Sequence, residues 1–333
     1  MVTCAVARER VPPEMEGQVP GEFEIVKSEF KRILGRSPRL EMIADGQGFS
    51  EGTAWSPEGF LVWSDIPMDR ILRWDPKGGV GLFRYRGGNA NGNTFDLEGR
   101  LLTCETSGRR VSITGRDGSV CTLVDRYQGR KLTSPNDVVV KSDGTVWFTD
   151  PDYGALHPEL GHGERFEQTR NRVYRYDPAL GELSAVSEDF DKPHGIAFSP
   201  DENYLFVGDP GRTHGEFRNH HLIRFEVARD GRSVSKPRVF CVVNPGVPDG
   251  FRCDTEGNVY VGAGDGVQVY NKDGELIGKI RTPGAVGNCS FGMGEYDTLF
   301  IAASKQVFKL KLNAQGANRP RAKRASVISR KHI

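Results

Sequence analysis

The chain has 333 residues, a formal net charge of +1, a hydrophobic content of 37% and 41 glycines, a balance that suits many short strands and tight turns better than long helices. No apolar run reaches the roughly 18 residues that a bilayer span needs. The opening MVTCAVARERVPPEMEGQVP lacks a signal peptide's apolar stretch, so the expectation is a soluble, cytoplasmic protein with no membrane partner.

Residues 1–21 are expected to form a flexible N-terminal segment, and 22–312 a single folded unit. Near the start of that unit, Glu24-Ile25-Val26-Lys27 is expected to pair with a C-terminal strand such as Val307-Phe308-Lys309-Leu310. Such pairing removes an exposed sheet edge. Six copies of one pattern follow: EGTAWSPEGFLVWSD from Glu51, NGNTFDLEGRLLTCE from Asn91, NDVVVKSDGTVWFTD from Asn136, HGIAFSPDENYLFVGD from His194, DGFRCDTEGNVYVGAG from Asp249 and GNCSFGMGEYDTLFIAA from Gly287. Each reads as a polar residue, a short apolar run, a turn and a second apolar run. In the third copy, Val138-Val139-Val140 and Val146-Trp147-Phe148 flank Ser142-Asp143-Gly144, a hairpin built on glycine's tolerance of positive φ.

The copies start 40, 45, 58, 55 and 38 residues apart. Repeats of about 40–50 residues, each with several short strands, are the signature of a β-propeller. Further strands appear downstream, as in Arg70-Ile71-Leu72-Arg73-Trp74 and Gly81-Leu82-Phe83-Arg84-Tyr85 after the first copy. The predicted fold is all-β: a six-bladed β-propeller with four-stranded antiparallel blades. Two longer intervals, Tyr153 to Arg170 and Gly211 to His221, are polar, glycine-rich and histidine-bearing, and are read as loops on one face.

Six cysteines occur without a CxxC spacing, and Cys104, Cys253 and Cys289 lie inside repeated strands, as small apolar core residues would. Residues 313–333 hold six basic and no acidic side chains and are expected to be a disordered basic tail. With no aromatic residue in it and an acidic body behind it, no nucleic-acid partner is expected.

The scaffold positions of the repeat stay alike while the first position varies: Glu51, Asn91, Asn136, His194, Asp249, Gly287. If these lie at the mouths of the innermost strands, they form a ring around one axis. Carboxylate and amide oxygens suit a hard cation such as Ca2+ or Mg2+, and the His194 imidazole leans toward Mn2+ or Zn2+. No GxSxG elbow, HExxH, P-loop or GxGxxG after a strand offers another chemistry.

These residues carry a resemblance. Ser50-Glu51-Gly52, Trp63-Ser64-Asp65-Ile66-Pro67, Asn91-Gly92-Asn93-Thr94, Ser134-Pro135-Asn136-Asp137, Trp147-Phe148-Thr149-Asp150-Pro151 and Pro248-Asp249-Gly250 resemble, in order, the SMP-30/gluconolactonase/LRE family. The resemblance implies a metal-dependent hydrolase that opens a sugar (aldono-)lactone, with one divalent cation, Ca2+ first and Zn2+, Mn2+ or Mg2+ as alternatives. It implies Glu51, Asn136, His194 and Asp249 as metal ligands, with Asp249 the general base and cation-activated water the alternative. Asn91, Asn93, Glu105 and Asn136 would hold sugar hydroxyls. The chain departs from the family at His194, where asparagine is usual, and at Thr53, where proline is usual. A related ester or organophosphate hydrolase, a lyase or isomerase using His194, and a non-catalytic binding propeller stay open. Substrate identity and oligomeric state have no readable code.

Overall fold

The computed structural model describes residues 22–157, 163 and 166–317. Six sheets follow one another around a ring, five with four strands and one with five. The first holds Ser50–Trp55, Leu61–Asp65, Arg70–Asp75 and Gly79–Tyr85, paired antiparallel in chain order. The next four begin with Ala90–Phe95, Val138–Val140, Ile196–Phe198 and Phe251–Cys253, and the sixth with Val286–Gly292. Each of these opening strands is an innermost strand that starts one or two residues from the variable first position. The predicted six-bladed propeller of four-stranded antiparallel blades is the fold observed. Among the described residues no helix is long and apolar enough to cross a membrane.

The alternation of apolar residues along these strands places one layer of side chains between each pair of blades. Trp63 and Phe300 are fully buried where the first and sixth blades meet, and Trp147 and Phe198 are buried edge to face between the third and fourth. Cys104, Cys241, Cys253 and Cys289 are buried free thiols, whereas Cys121 is exposed on an outer strand.

Ring closure differs from the expectation. The sixth blade is completed by Leu40–Ala44, which pairs with Gln306–Lys311. The expected closing segment, observed as Phe23–Ile25, instead adds a fifth strand to the outer edge of the fifth blade by pairing with Leu276–Arg281. The helix Ser28–Leu34 connects the two, burying Phe30, Ile33 and Leu34. Phe30 lies against Gly278, where an added Cβ would come within 2.0 Å of the ring. The chain also stays on the propeller beyond residue 312: Gly316 bridges to Asp254, Thr255 donates to the Gln315 carbonyl and Ala314 is buried. The tail therefore cannot start at 313. The remaining terminal expectations, for 1–21 and for the residues after 317, lie outside the described residues.

Candidate active site

The second strand of a hairpin positions the first. Asp65, Asp150 and Asp209 end the second strands of the first, third and fourth blades. Each carboxylate turns back to accept two backbone N–H groups from the segment entering its own blade: Gly48 and Phe49, Thr133 and Ser134, Asp191 and Lys192. These clamps lie two or three residues before Glu51, Asn136 and His194, and fix how the chain arrives at the site. Burial raises Asp150 to about 7 against the pull of its two amide donors.

Glycine in the second position of most copies brings neighbouring blades together. A Cβ on Gly195 would lie 2.2 Å from the Asp249 carbonyl oxygen, so that carbonyl rests on the preceding blade. Gly287, the one first position without a side chain, makes room instead: its Cβ would stand 2.4 Å from Glu51 Oε1. The third copy substitutes Asp137 for glycine. Its buried carboxylate lies 3.3 Å from Arg252 Nη1 and 3.3 Å from the Ile196 amide nitrogen, forming a charged layer beneath the site.

Five of the six variable residues converge. Glu51, Asn91, Asn136, His194 and Asp249 line one cavity of about 340 Å³ at the end of the central channel. Glu51 is almost fully buried, and its Oε2 accepts the Gly52 N–H at 2.8 Å. Burial, reinforced by the charge of Asp249, raises the Glu51 carboxyl well above the usual range. Asn136 Nδ2 lies 3.1 Å from His194 Nε2. With the amide in this orientation it donates to that nitrogen, so the neutral ring carries its proton on Nδ1. Nδ1 lies 3.0 Å from Asp249 Oδ1, close enough for attraction but off the line of a hydrogen bond. Burial opposes a charged His194, but the charge and close approach of Asp249, with the charge of Asp137 behind them, together exceed it and the imidazole pKa is raised. Asn136 Oδ1, His194 Nδ1 and Asp249 Oδ1 are buried without a hydrogen-bond partner. Buried polar atoms left unpaired are uncommon and call for an explanation.

Two expected site residues lie elsewhere. Asn93 is fully buried behind the ring, where its Nδ2 donates to the Gly52 carbonyl and Ser64 Oγ and its Oδ1 accepts from Thr103. It braces two blades and is absent from the cavity lining. Glu105 occupies the hairpin position of Asp65 and Asp150, and its carboxylate is paired with Arg84 and Arg110. Both oxygens are engaged away from the cavity, so the structure gives neither residue a substrate to hold. Conversely, the two long loops bring Tyr153, His157, Thr213 and His214 to the cavity wall. Their histidine content marked the loops, but nothing in their sequence identified which side chains would turn inward.

Among the described residues no group of three or more His, Cys, Asp or Glu side chains is arranged to hold a metal ion. Any cation here would therefore need the Asn136 amide oxygen as a ligand beside the two carboxylates.

The chain matches the family model for the SMP-30/gluconolactonase/LRE-like region over residues 49–305. It is 30% identical to the gluconolactonase of Zymomonas mobilis subsp. mobilis over 328 residues, covering 91% of this chain and 89% of that one. A pentonolactonase of Haloferax volcanii is 27% identical over 76% of this chain and 81% of its own length. Among solved structures, a gluconolactonase from Xanthomonas campestris is 36% identical, covers 87% of this chain and 95% of its own, and superposes with a TM-score of 0.82.

Proposed function

The chain belongs to the SMP-30/gluconolactonase/LRE-like family, and from that premise we infer that it is a lactonase, a hydrolase of cyclic esters, that opens a sugar (aldono-)lactone and depends on one divalent cation. The observation that carries the reading is the convergence of Glu51, Asn136 and Asp249 on one buried cavity with Asn136 Oδ1 and Asp249 Oδ1 left without hydrogen bonds. A cation between the two carboxylates would offset the burial and the Asp249 charge that raise the Glu51 carboxyl.

Glu51, Asn136 and Asp249 would hold the cation. Their donors are all oxygen, which favours Ca2+ over Zn2+ or Mn2+. His194 leaves this set, because its Nδ1 carries the ring proton and the lone pair on Nε2 accepts the Asn136 amide. It serves instead as the residue that spans Asn136 and Asp249. When bound, the cation polarises the lactone carbonyl and stabilises the charge that builds on its oxygen.

The side chains supply the rest. Asp249 takes a proton from the attacking water as the water oxygen bonds to the carbonyl carbon. The ring carbon–oxygen bond then breaks, and the ring oxygen takes that proton back to become the hydroxyl of the free acid. The proton on His194 Nδ1 faces Asp249 Oδ1 at 3.0 Å and holds that carboxylate in place before attack. Asn91, on the cavity wall, is placed to hold a sugar hydroxyl.

The test is hydrolysis of glucono-1,5-lactone, followed by acid release, for the protein and for Asp249→Ala. The variant should lose about 100-fold or more in rate. An unchanged rate would remove Asp249 from the mechanism.

A further inference from the structure

The cavity has a wall that the ring of first-position residues does not explain. Tyr153 opens the short helix Tyr153–Leu156 after the third hairpin, and Thr213 and His214 end the 3-10 turn Gly211–His214 after the fourth. The Tyr153 ring stands edge-on to His194, with centroids 5.5 Å apart and planes at 77°. Its hydroxyl lies 3.0 Å from Thr213 Oγ1. Thr213 Oγ1 in turn donates to the Pro210 carbonyl at 2.9 Å and meets His214 Nδ1 at 2.8 Å.

The Pro210 carbonyl can only accept, and that orients this chain. A threonine hydroxyl has one hydrogen, and Pro210 takes it. Tyr153 and His214 Nδ1 must therefore both donate to Thr213. His214 then keeps its lone pair on Nε2, which faces His157 Nε2 at 3.2 Å, so the proton between the two imidazoles is on His157. Four side chains from two loops thus share one fixed pattern of donors. The Tyr153 hydroxyl is spent on Thr213, and what the residue turns to the cavity is its ring.

We propose that Tyr153 is a specificity-determining residue whose ring packs against the C–H face of the lactone ring, and that Thr213, His214 and His157 are positioning residues that hold it there. The proposal rests on the lactonase reading for its ligand. A sugar ring carries hydroxyls at its rim and C–H bonds on its faces, so an immobilised aromatic ring beside the polar Asn91, Asn136 and Asp249 matches both kinds of surface.

The experiment separates binding from turnover. Affinity for glucono-lactam, a lactone mimic that cannot be opened by the same route, is measured by calorimetry beside Ca2+ affinity and lactone kinetics. Tyr153→Ala should weaken lactam binding about tenfold and raise KM by a similar factor, leaving Ca2+ affinity unchanged. Tyr153→Phe keeps the ring and should keep most of the affinity. His214→Ala should raise KM severalfold, and His214→Asn, which puts an amide N–H where Nδ1–H was, should restore it. Unchanged KM and lactam affinity in Tyr153→Ala would overturn the proposal while leaving the lactonase reading intact. Lactam binding that depends on Tyr153, in a protein that opens no lactone, would support the wall and overturn the catalytic reading. A wild-type protein that binds no lactam would overturn the wall as well.

Discussion

His194 Nδ1 and Asp249 Oδ1 lie 3.0 Å apart across the gap between two blades, while the other ring nitrogen of His194 is occupied by Asn136. One imidazole thereby ties together two of the three residues proposed to hold the cation. His194→Asn should keep Ca2+ affinity within about threefold and lower kcat roughly tenfold to a hundredfold, as loss of a positioning partner does. Loss of Ca2+ binding in that variant, measured by calorimetry, would return His194 to the ligand set.

Chelation should destabilise the folded protein. A ligand that binds only the folded state at 100 times its Kd contributes about 2.7 kcal/mol. The thermal midpoint of the wild type should therefore fall in EDTA. Glu51→Gln should show no such fall, and its metal-free form should be at least as stable as metal-free wild type, because burial and the Asp249 charge, which raise the Glu51 carboxyl, penalise a charged group and the amide has none. Melting curves with and without EDTA check both statements.

Two glycines separate scaffold from site. Gly195→Ala sets a Cβ 2.2 Å from the Asp249 carbonyl oxygen, and backbone must move to relieve it. It should cost on the order of 3 kcal/mol or more in urea unfolding, with loss of activity. Gly287→Ala meets the Glu51 carboxylate at 2.4 Å instead. That variant should stay folded and lose Ca2+ affinity by tenfold or more, a split that calorimetry and circular dichroism would resolve.

Asp150 makes stability depend on pH. Its pKa of about 7 in the folded chain stands above the unfolded value of about 3.9. Between those values the folded state binds more protons than the unfolded one, so this group's contribution falls as pH rises and is level above about 7. Wild-type stability in EDTA should drop by on the order of a few kcal/mol more between pH 5 and pH 8 than that of Asp150→Asn. Equal slopes from urea titrations at the two pH values would show that Asp150 is ionised across the range.

The hairpins were readable because each buries one layer of side chains against each neighbouring blade, and that requirement imposes an alternating pattern on every copy. Glu105 was misassigned to the substrate although its spacing held the signal. It stands as many residues after Asn91 as Asp65 does after Glu51 and Asp150 after Asn136, which marks it as a scaffold carboxylate. The helix Ser28–Leu34 also left a trace in the spacing of Phe30, Ile33 and Leu34. Ring closure was not readable. Phe23–Ile25 and Leu40–Ala44 are both short, and only the tertiary arrangement decides which of them meets the last blade. The same holds for Tyr153 and His214, whose inward turn depends on a partner loop about 60 residues away.

Glu51, Asn136 and Asp249 are proposed to hold one cation that lactone opening requires. The most direct measurement titrates Ca2+ into chelated protein while recording bound metal by mass spectrometry and acid release from glucono-1,5-lactone in the same samples. One equivalent of metal should bind at saturation and the rate should rise in proportion to occupancy, with neither seen in Glu51→Gln. Full activity in protein shown to carry no metal would contradict this proposal.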